Sequence, residues 1–362
     1  MKSSDVQMNE ETTMSSARAC VLHAKGDIRI EEQTLSAPGP NEVLVRVGAG
    51  GICGSDLHYF QDGGFGAIRV REPIILGHEV AGRVEALGSA VSHLVVGQKV
   101  ALNPSRPCNV CRYCLQGLQQ HCLDMRFMGS AMRMPHVQGA FRERMIVDAF
   151  QCVPVDDALS LNEAAMAEPL AVVLHALNQA GNIAGRRVIV TGAGPIGLLA
   201  LLAARHAGAA EVAMTDIADE PLALARKLGA SATVNVAASR DGLDRFSGEK
   251  GHFDICFECS GAGPALDAAI MVVRPRGTIV RVGIGDTRDI NLNLLVSKEI
   301  RLCGSFRFHS EFALAAELLS TRRIDVRPLI TATYPLSDAV KAFDEAGDKR
   351  RSIKVQLVFD EA

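Results

Sequence analysis

The sequence predicts an α/β protein of two units, a mostly β unit shaped as a small barrel and a doubly wound parallel sheet. Three observations carry that expectation. The first 165 residues read as short apolar strands punctuated by Gly and Pro, with no long helical period. From Val188 onward, strands alternate with helical segments. At 362 residues the chain also exceeds what one hydrophobic core usually organises.

Composition narrows the function classes. An apolar fraction of 48% with 22% charged residues is ordinary for a soluble globular chain. The net charge of -3 offers no footprint for nucleic acid and no polybasic membrane patch. The longest uncharged run, Val188 to Ala204, is too short to span a bilayer and is broken by Gly192, Gly194, Pro195 and Gly197. Residues 1–16 are polar, lack the apolar stretch of a secretory signal, and read as a loose extension. The ten cysteines are therefore expected in a reducing, cytoplasmic setting, as metal-bound thiolates before disulfides.

The first unit covers residues 17–165, with strands expected at Ala19–Leu22, Ile28–Glu32, Val43–Val47, Val80–Ala86 and Val95–Leu102. Cys53 lies in a glycine-rich turn, where a lone cysteine is more often a small buried hydrophobe than a ligand. The stretch Leu76-Gly77-His78-Glu79-Val80-Ala81-Gly82 changes that balance. Cys53, His78 and Glu79 form a borderline-soft donor set suited to Zn²⁺, and three protein ligands leave the open position a catalytic ion needs. A second cluster, Cys108, Cys111, Cys114 and Cys122, has the spacing C-x2-C-x2-C-x7-C. Four thiolates so close can close a tetrahedron around a structural zinc; an iron–sulfur cluster and four free thiols are the alternatives. The cations that follow, Arg126 and Arg133, read as surface residues unless an anion needs them.

The second unit covers residues 166–306. Leu161 to Ala180 reads as a helix capped by Asn162, closed by Gly181 and interrupted at Pro169. Glu168 sits among apolar neighbours and is either an exposed helix-face carboxylate or a buried acid that needs a partner such as a metal or its water. Val188 to Gly197 is a strand, a glycine turn and a helix start, followed by a strand ending at Asp216. That context gives the G-x-G-x-x-G pattern its meaning as a dinucleotide fingerprint. Gly192 makes the turn, Gly194 lets the pyrophosphate approach, and Gly197 lets helix and strand pack. The helix start, Pro195 and Ile196 included, faces the phosphates, and Asp216 accepts from the adenosine ribose. Asp219 and Glu220 follow with no cation, which favours NAD over NADP. Cys256 and Cys259 read as buried apolar residues. The last segment, 307–362, carries two amphipathic helices and an alternating strand, Ile353 to Phe359, expected to return to the first unit and complete it. Arg307, at a strand end, is a site candidate or a surface cation.

The order Cys53, His78-Glu79, Cys108/Cys111/Cys114/Cys122, Glu168, the Gly192 fingerprint and Asp216 resembles the zinc-dependent medium-chain alcohol and polyol dehydrogenases, over residues 18 to 359. Within that family the stretches Gly50 to Tyr59, Asn103-Pro104-Ser105, Asp124 to Met132 and Gly304 to Phe308 are most similar to the L-idonate 5-dehydrogenases, with sorbitol (L-iditol) dehydrogenases next. One departure stands out: many relatives carry Arg five residues after the ribose-binding Asp, where this chain has Pro221.

The resemblance implies a GroES-like catalytic domain, a Rossmann domain, two Zn²⁺ per chain, NAD and a homo-oligomer, commonly a tetramer. It implies a small sugar acid or polyol as substrate. It also implies that Cys53, His78 and Glu79 hold the catalytic ion, while Glu168 holds its water or replaces Glu79. Ser55 is then expected to take the substrate hydroxyl proton and pass it through His58, with Asp56 orienting His78. Tyr59, Phe127 and Arg307 are the expected substrate contacts, with Arg126 and Arg133 as rivals for a carboxylate. A binding or sensor protein descended from the same fold would be expected to lack these ligands.

Overall fold

The computed structural model describes residues 15–285 and 290–359; most of the expected N-terminal extension lies outside them. Strand Ser15–Ala24 already includes the last two residues of that extension, held by register from Ser15↔Leu35 onward. It lies between Asp27–Leu35 and Ile74–Ile75 in a three-stranded sheet.

A seven-stranded sheet forms the body of the first unit, organised around Glu42–Gly51. This strand pairs with Arg144–Asp148, Glu79–Leu87 and Lys354–Val358, all antiparallel. Its alternation drives that central place, because Val43, Val45, Val47 and Ala49 all point into the core. Gly51 stands opposite Glu79 and Gln356, so residues from three distant stretches meet at one end of the sheet. The C-terminal strand departs from simple amphipathic alternation. Lys354 and Gln356, its polar members, are buried at 2% and 0% exposure. Gln356 is satisfied by a reciprocal pair with Asn162, donating to its carbonyl at 2.9 Å and accepting from its amide at 2.8 Å.

Two local expectations need correction. Val95 and Val96 are exposed, and the strand begins only at Lys99, because Gly97 turns the chain with φ +86°. The connection to the second unit is two helices, Leu161–Ala164 and Ala167–Ala180. Ser160, not Asn162, caps the first through a reciprocal box with Glu163, and Pro169 fits in the first turn of the second.

The second unit is a six-stranded, all-parallel sheet in the order Ala232–Asn235, Glu211–Asp216, Arg187–Thr191, Phe253–Glu258, Val273–Arg281, Arg301–Gly304. Chain order reverses at Arg187–Thr191, which makes the crevice beside that strand the switch point where α/β sheets bind ligands. Its neighbours are buried on both faces, as strands covered by helices on each side must be. Helix Glu311–Ser320 packs back on Ala167–Ala180 through Phe312, Ala315 and Ala316. No helix among the described residues is long and apolar enough to cross a membrane.

Candidate active site

Cys53 is the cap of a helix, Gly54–Asp62, that the glycine-rich sequence does not announce. The Cys53 thiol and the Asp56 carboxylate close a reciprocal capping box, with Cys53 N–H donating to Asp56 at 3.0 Å. The other oxygen of Asp56 accepts from Gly77 N–H at 3.3 Å and stands 3.6 Å from His78 Nδ1. One fully buried carboxylate thus ties both halves of the site together, touching the Cys53 turn on one side and the Gly77–His78 turn on the other. Burial pushes this carboxyl's pKa up, and the neighbouring His78 works against it. Ligand atoms of Cys53, His78 and Glu79 lie within 4.8 Å of one another.

Lys354 is the residue that motif reasoning misses. Its buried ammonium donates to both oxygens of Glu79, at 2.8 and 2.7 Å, and to Ile52 O at 3.1 Å. It lies 275 positions from Glu79 in the chain, and only the pairing of the C-terminal strand with Glu42–Gly51 brings it there. Glu168, in the first turn of its helix, is buried rather than exposed. Desolvation raises its pKa to about 8 against the pull of His78. The thiolate, imidazole and carboxylate fit a zinc ion by donor type and proximity. A cation among them would also offset the burial that pushes the Cys53 thiol up to about 12.

Phe127 and Arg307 form the adjoining wall. The Phe127 ring lies 5.5 Å from His78, and the Arg307 guanidinium sits 4.0 Å over Phe127 and 5.0 Å from Phe306. Arg307 adopts φ +54°, reaches Met132 Sδ at 3.4 Å, and forms no ion pair among the described residues. Burial lowers its pKa to about 10, while Glu168 and Tyr59 act in the opposite sense. A cavity of about 330 Å³ opens beside it, lined also by Ser130, Met132 and Arg133. Arg133 is already engaged, by Asp124 at 2.6 Å and by the carbonyls of Met125 and Leu123. Arg126 is exposed on its short strand. Tyr59 is buried and its hydroxyl accepts from Ala131 N–H at 3.1 Å, fixing the loop that borders the cavity. Ser55 is half-buried one residue past the helix start, and exposed His58 pairs with Asp62 at 3.2 Å.

The four cysteines of the second cluster converge as their spacing suggests. Cys111 and Cys114 sulfurs are 3.5 Å apart, and Cys108 and Cys122 sulfurs 3.4 Å. A tetrahedral Zn–S₄ site places sulfurs about 3.8 Å apart, so this set fits a structural ion. Backbone N–H groups, that of Cys114 foremost, bring the Cys111 thiol down to about 6, ready to ligate as thiolate. The lobe touches the active-site wall where His121 stacks on Phe306 at 6.0 Å.

At the switch point Gly192 turns with φ +89°, and a Cβ on Gly197 would stand 1.8 Å from Gly192 O. A Cβ on Gly194 would meet nothing, so its backbone faces open space at the start of helix Pro195–His206, next to Ile196. Asp216 is fixed by Ala193 N–H at 2.6 Å and by Ile217 and Ala218 N–H at 2.7 and 2.9 Å. The residues present fit a dinucleotide: a glycine turn, a helix N-terminus and an acid at the end of the neighbouring strand.

Two family models match the chain: the alcohol dehydrogenase GroES-like domain over residues 39–157 and the zinc-binding dehydrogenase over 195–321. Fold, donor set and these matches agree, and the chain belongs to the zinc-binding medium-chain alcohol dehydrogenases, enzymes that couple zinc to a nicotinamide cofactor. Among its relatives is the L-idonate 5-dehydrogenase (NAD(P)(+)) of Escherichia coli K12, 43% identical over 343 residues that cover 94% of this chain and 98% of that one. The crystal structure of L-idonate 5-dehydrogenase from the same species superposes with a TM-score of 0.92 at 42% identity, covering 96% and 99% of the two chains. Sorbitol dehydrogenase of Pongo abelii is 36% identical over 350 residues, covering 94% and 95%.

Proposed function

We propose that this enzyme interconverts L-idonate and 5-keto-D-gluconate, moving hydride from the substrate carbon to NAD and releasing the hydroxyl proton. The observation that carries this reading is Arg307. A half-buried guanidinium with no ion pair among the described residues, beside a cavity and the Cys53–His78–Glu79 cluster, suits a substrate that carries a carboxylate. The high identity to an L-idonate 5-dehydrogenase supports the same choice, with the sorbitol dehydrogenases as the alternative.

Cys53, His78 and Glu79 would hold a catalytic zinc, and Cys108, Cys111, Cys114 and Cys122 a structural one, two per chain. The catalytic ion supplies Lewis acidity to the substrate oxygen, and NAD supplies the hydride acceptor. The chain does the rest. Ser55 receives the hydroxyl proton and His58, exposed one helical turn further on, passes it to solvent. Glu168, buried near the cluster, would hold the water of the ion or take the place of Glu79, and Asp56 holds His78 in one orientation. Tyr59 and Phe127 shape the wall, while Arg307 grips the carboxylate. Gly192, Gly194, Pro195, Ile196 and Gly197 cradle the pyrophosphate and Asp216 takes the adenosine ribose. With Asp219 and Glu220 next to it, that end disfavours a 2′-phosphate. The edge strand Arg301–Gly304, with Leu302 exposed, has no outer neighbour among the described residues and is suited to a second copy, in keeping with a cytoplasmic homotetramer.

The test is Arg307→Ala assayed on L-idonate and on sorbitol, with NAD and NADP. Loss of kcat/KM of about a hundredfold on L-idonate and about tenfold or less on sorbitol is expected. An equal loss on both substrates would remove Arg307 as carboxylate reader.

A further inference from the structure

Glu258 ends the strand Phe253–Glu258 beside the switch point and is fully buried, yet no step above uses it. One of its oxygens accepts from Ser260 Oγ at 2.5 Å, Ser260 N–H at 2.8 Å and Gly261 N–H at 2.9 Å. The hydroxyl of Thr191, the residue before the glycine turn, lies 3.5 Å from the same oxygen. The other oxygen has no hydrogen-bond partner among the described residues and faces Arg281 Nε at 3.6 Å. Arg281 in turn donates to Gly283 O at 3.2 Å and Gly285 O at 2.8 Å.

One carboxylate therefore sits under three backbone turns that end three adjacent strands. These turns touch backbone to backbone: a Cβ on Gly192 would meet Ser260 N at 3.0 Å, and one on Gly283 would meet Gly261 N at 2.2 Å. Gly261 itself turns with φ +72°. Such contacts leave no slack, so the direction of the Ser260 and Gly261 peptides depends on the acceptor beneath them.

Position in the sheet assigns the half of the cofactor concerned. Asp216 marks the adenosine side of Arg187–Thr191, and Glu258 lies on the opposite side, toward the edge strand Arg301–Gly304 that leads into Arg307. We propose that Glu258 is a positioning residue for the nicotinamide half of the cofactor, setting the turns at 259–261 and 283–285 against which that half is laid. The inference rests on the dinucleotide site described above and is separable from the choice of substrate.

Direct binding tests it, with no catalytic turnover required. The chain contains no tryptophan, so the fluorescence of bound NADH can be followed without energy transfer from indole. Glu258→Ala should weaken NADH by about tenfold or more, the loss of several hydrogen bonds to one charged acceptor. AMP, which reports the adenosine side alone, should bind within about twofold of wild type in a competition or calorimetric titration. Glu258→Gln retains a carbonyl acceptor for Ser260 and Gly261 and should recover NADH to within about threefold. Should Glu258→Ala fold poorly, Ser260→Ala removes one of the donors, the hydroxyl at 2.5 Å, and should weaken NADH by about threefold, again sparing AMP. An equal loss for AMP and NADH would reduce Glu258 to a general packing residue, and unchanged NADH binding in Glu258→Ala would end the proposal. Failure of L-idonate as substrate would leave this outcome untouched.

Discussion

Lys354→Met removes an ammonium and keeps most of the side-chain volume, leaving Glu79 buried without its cation. The two hydrogen bonds of 2.7 and 2.8 Å are charge-assisted, and both partners are at most 2% exposed. Breaking such a pair from one side costs about 3–5 kcal/mol, because the orphaned carboxylate keeps its desolvation penalty. For a unit of this size that corresponds to a fall in Tm of roughly 10 °C. The cost should be largest in chelator-treated protein, since a zinc ion held by Glu79, as proposed, would replace part of the missing charge. Calorimetry with and without chelator, beside zinc analysis, measures both quantities. In chelator, Glu79→Gln on the Lys354→Met background should restore at least about 2 kcal/mol, because a neutral amide no longer needs a cation. A Tm within about 2 °C of wild type, or a double variant worse than the sum of its parts, would refute the pairing as a source of stability.

Two other perturbations follow from the same geometry. Cys111→Ser opens the four-sulfur cluster and should lower the zinc content by about one per chain, with a drop in Tm that added zinc does not recover; unchanged zinc content would argue for free thiols. Glu311→Gln concerns the clamp between helices Ala167–Ala180 and Glu311–Ser320. Burial alone would raise the Glu311 carboxyl, but hydrogen bonds from His175 at 2.9 Å, His309 N–H at 3.0 Å and Asn178 at 2.9 Å hold it down to about 2. A depressed carboxyl stabilises the fold above its unfolded pKa and loses that contribution as pH falls through its folded one. The variant should therefore be about 2 kcal/mol less stable at neutral pH, with a gap that is flat above about pH 5 and closes toward pH 2. Urea titrations at several pH values read this gap; one that widens on acidification would contradict the assignment.

Much of the site was legible because its chemistry is concentrated in short stretches. His78-Glu79 and the four cysteines announce themselves by residue type and spacing, and the glycine fingerprint by the strand before it and the acid after it. What was not legible depends on register. Lys354 looks like the polar partner of an alternating strand until Gln356 is placed opposite Gly51, which carries its neighbour inward to Glu79. Helix Gly54–Asp62 has only nine residues and a thiol as cap, so neither length nor the usual capping residues betray it. Arg133 and Arg307 look alike in sequence; only the fold shows one of them already paired with Asp124. Glu258 gave no signal, because a lone acid at a strand end becomes informative only once the turns above it are seen.

These hidden residues share a physical role. Each donor of the proposed catalytic cluster is placed by a tie to the protein itself: Cys53 by its N–H on Asp56, His78 by the other oxygen of that carboxylate, and Glu79 by Lys354. Lys354 is in turn anchored to Ile52 O, one residue before Cys53, so the C-terminal strand and the helix cap are held in common. The tie from Glu79 to Lys354 joins two strands of the seven-stranded sheet, whose buried side chains form one close-packed cluster. In a site built this way no donor depends on an ion alone for its position. The cost of that arrangement falls on the charges beneath the ligands, which is why the effect of losing Lys354 should exceed that of any surface ion pair in the chain.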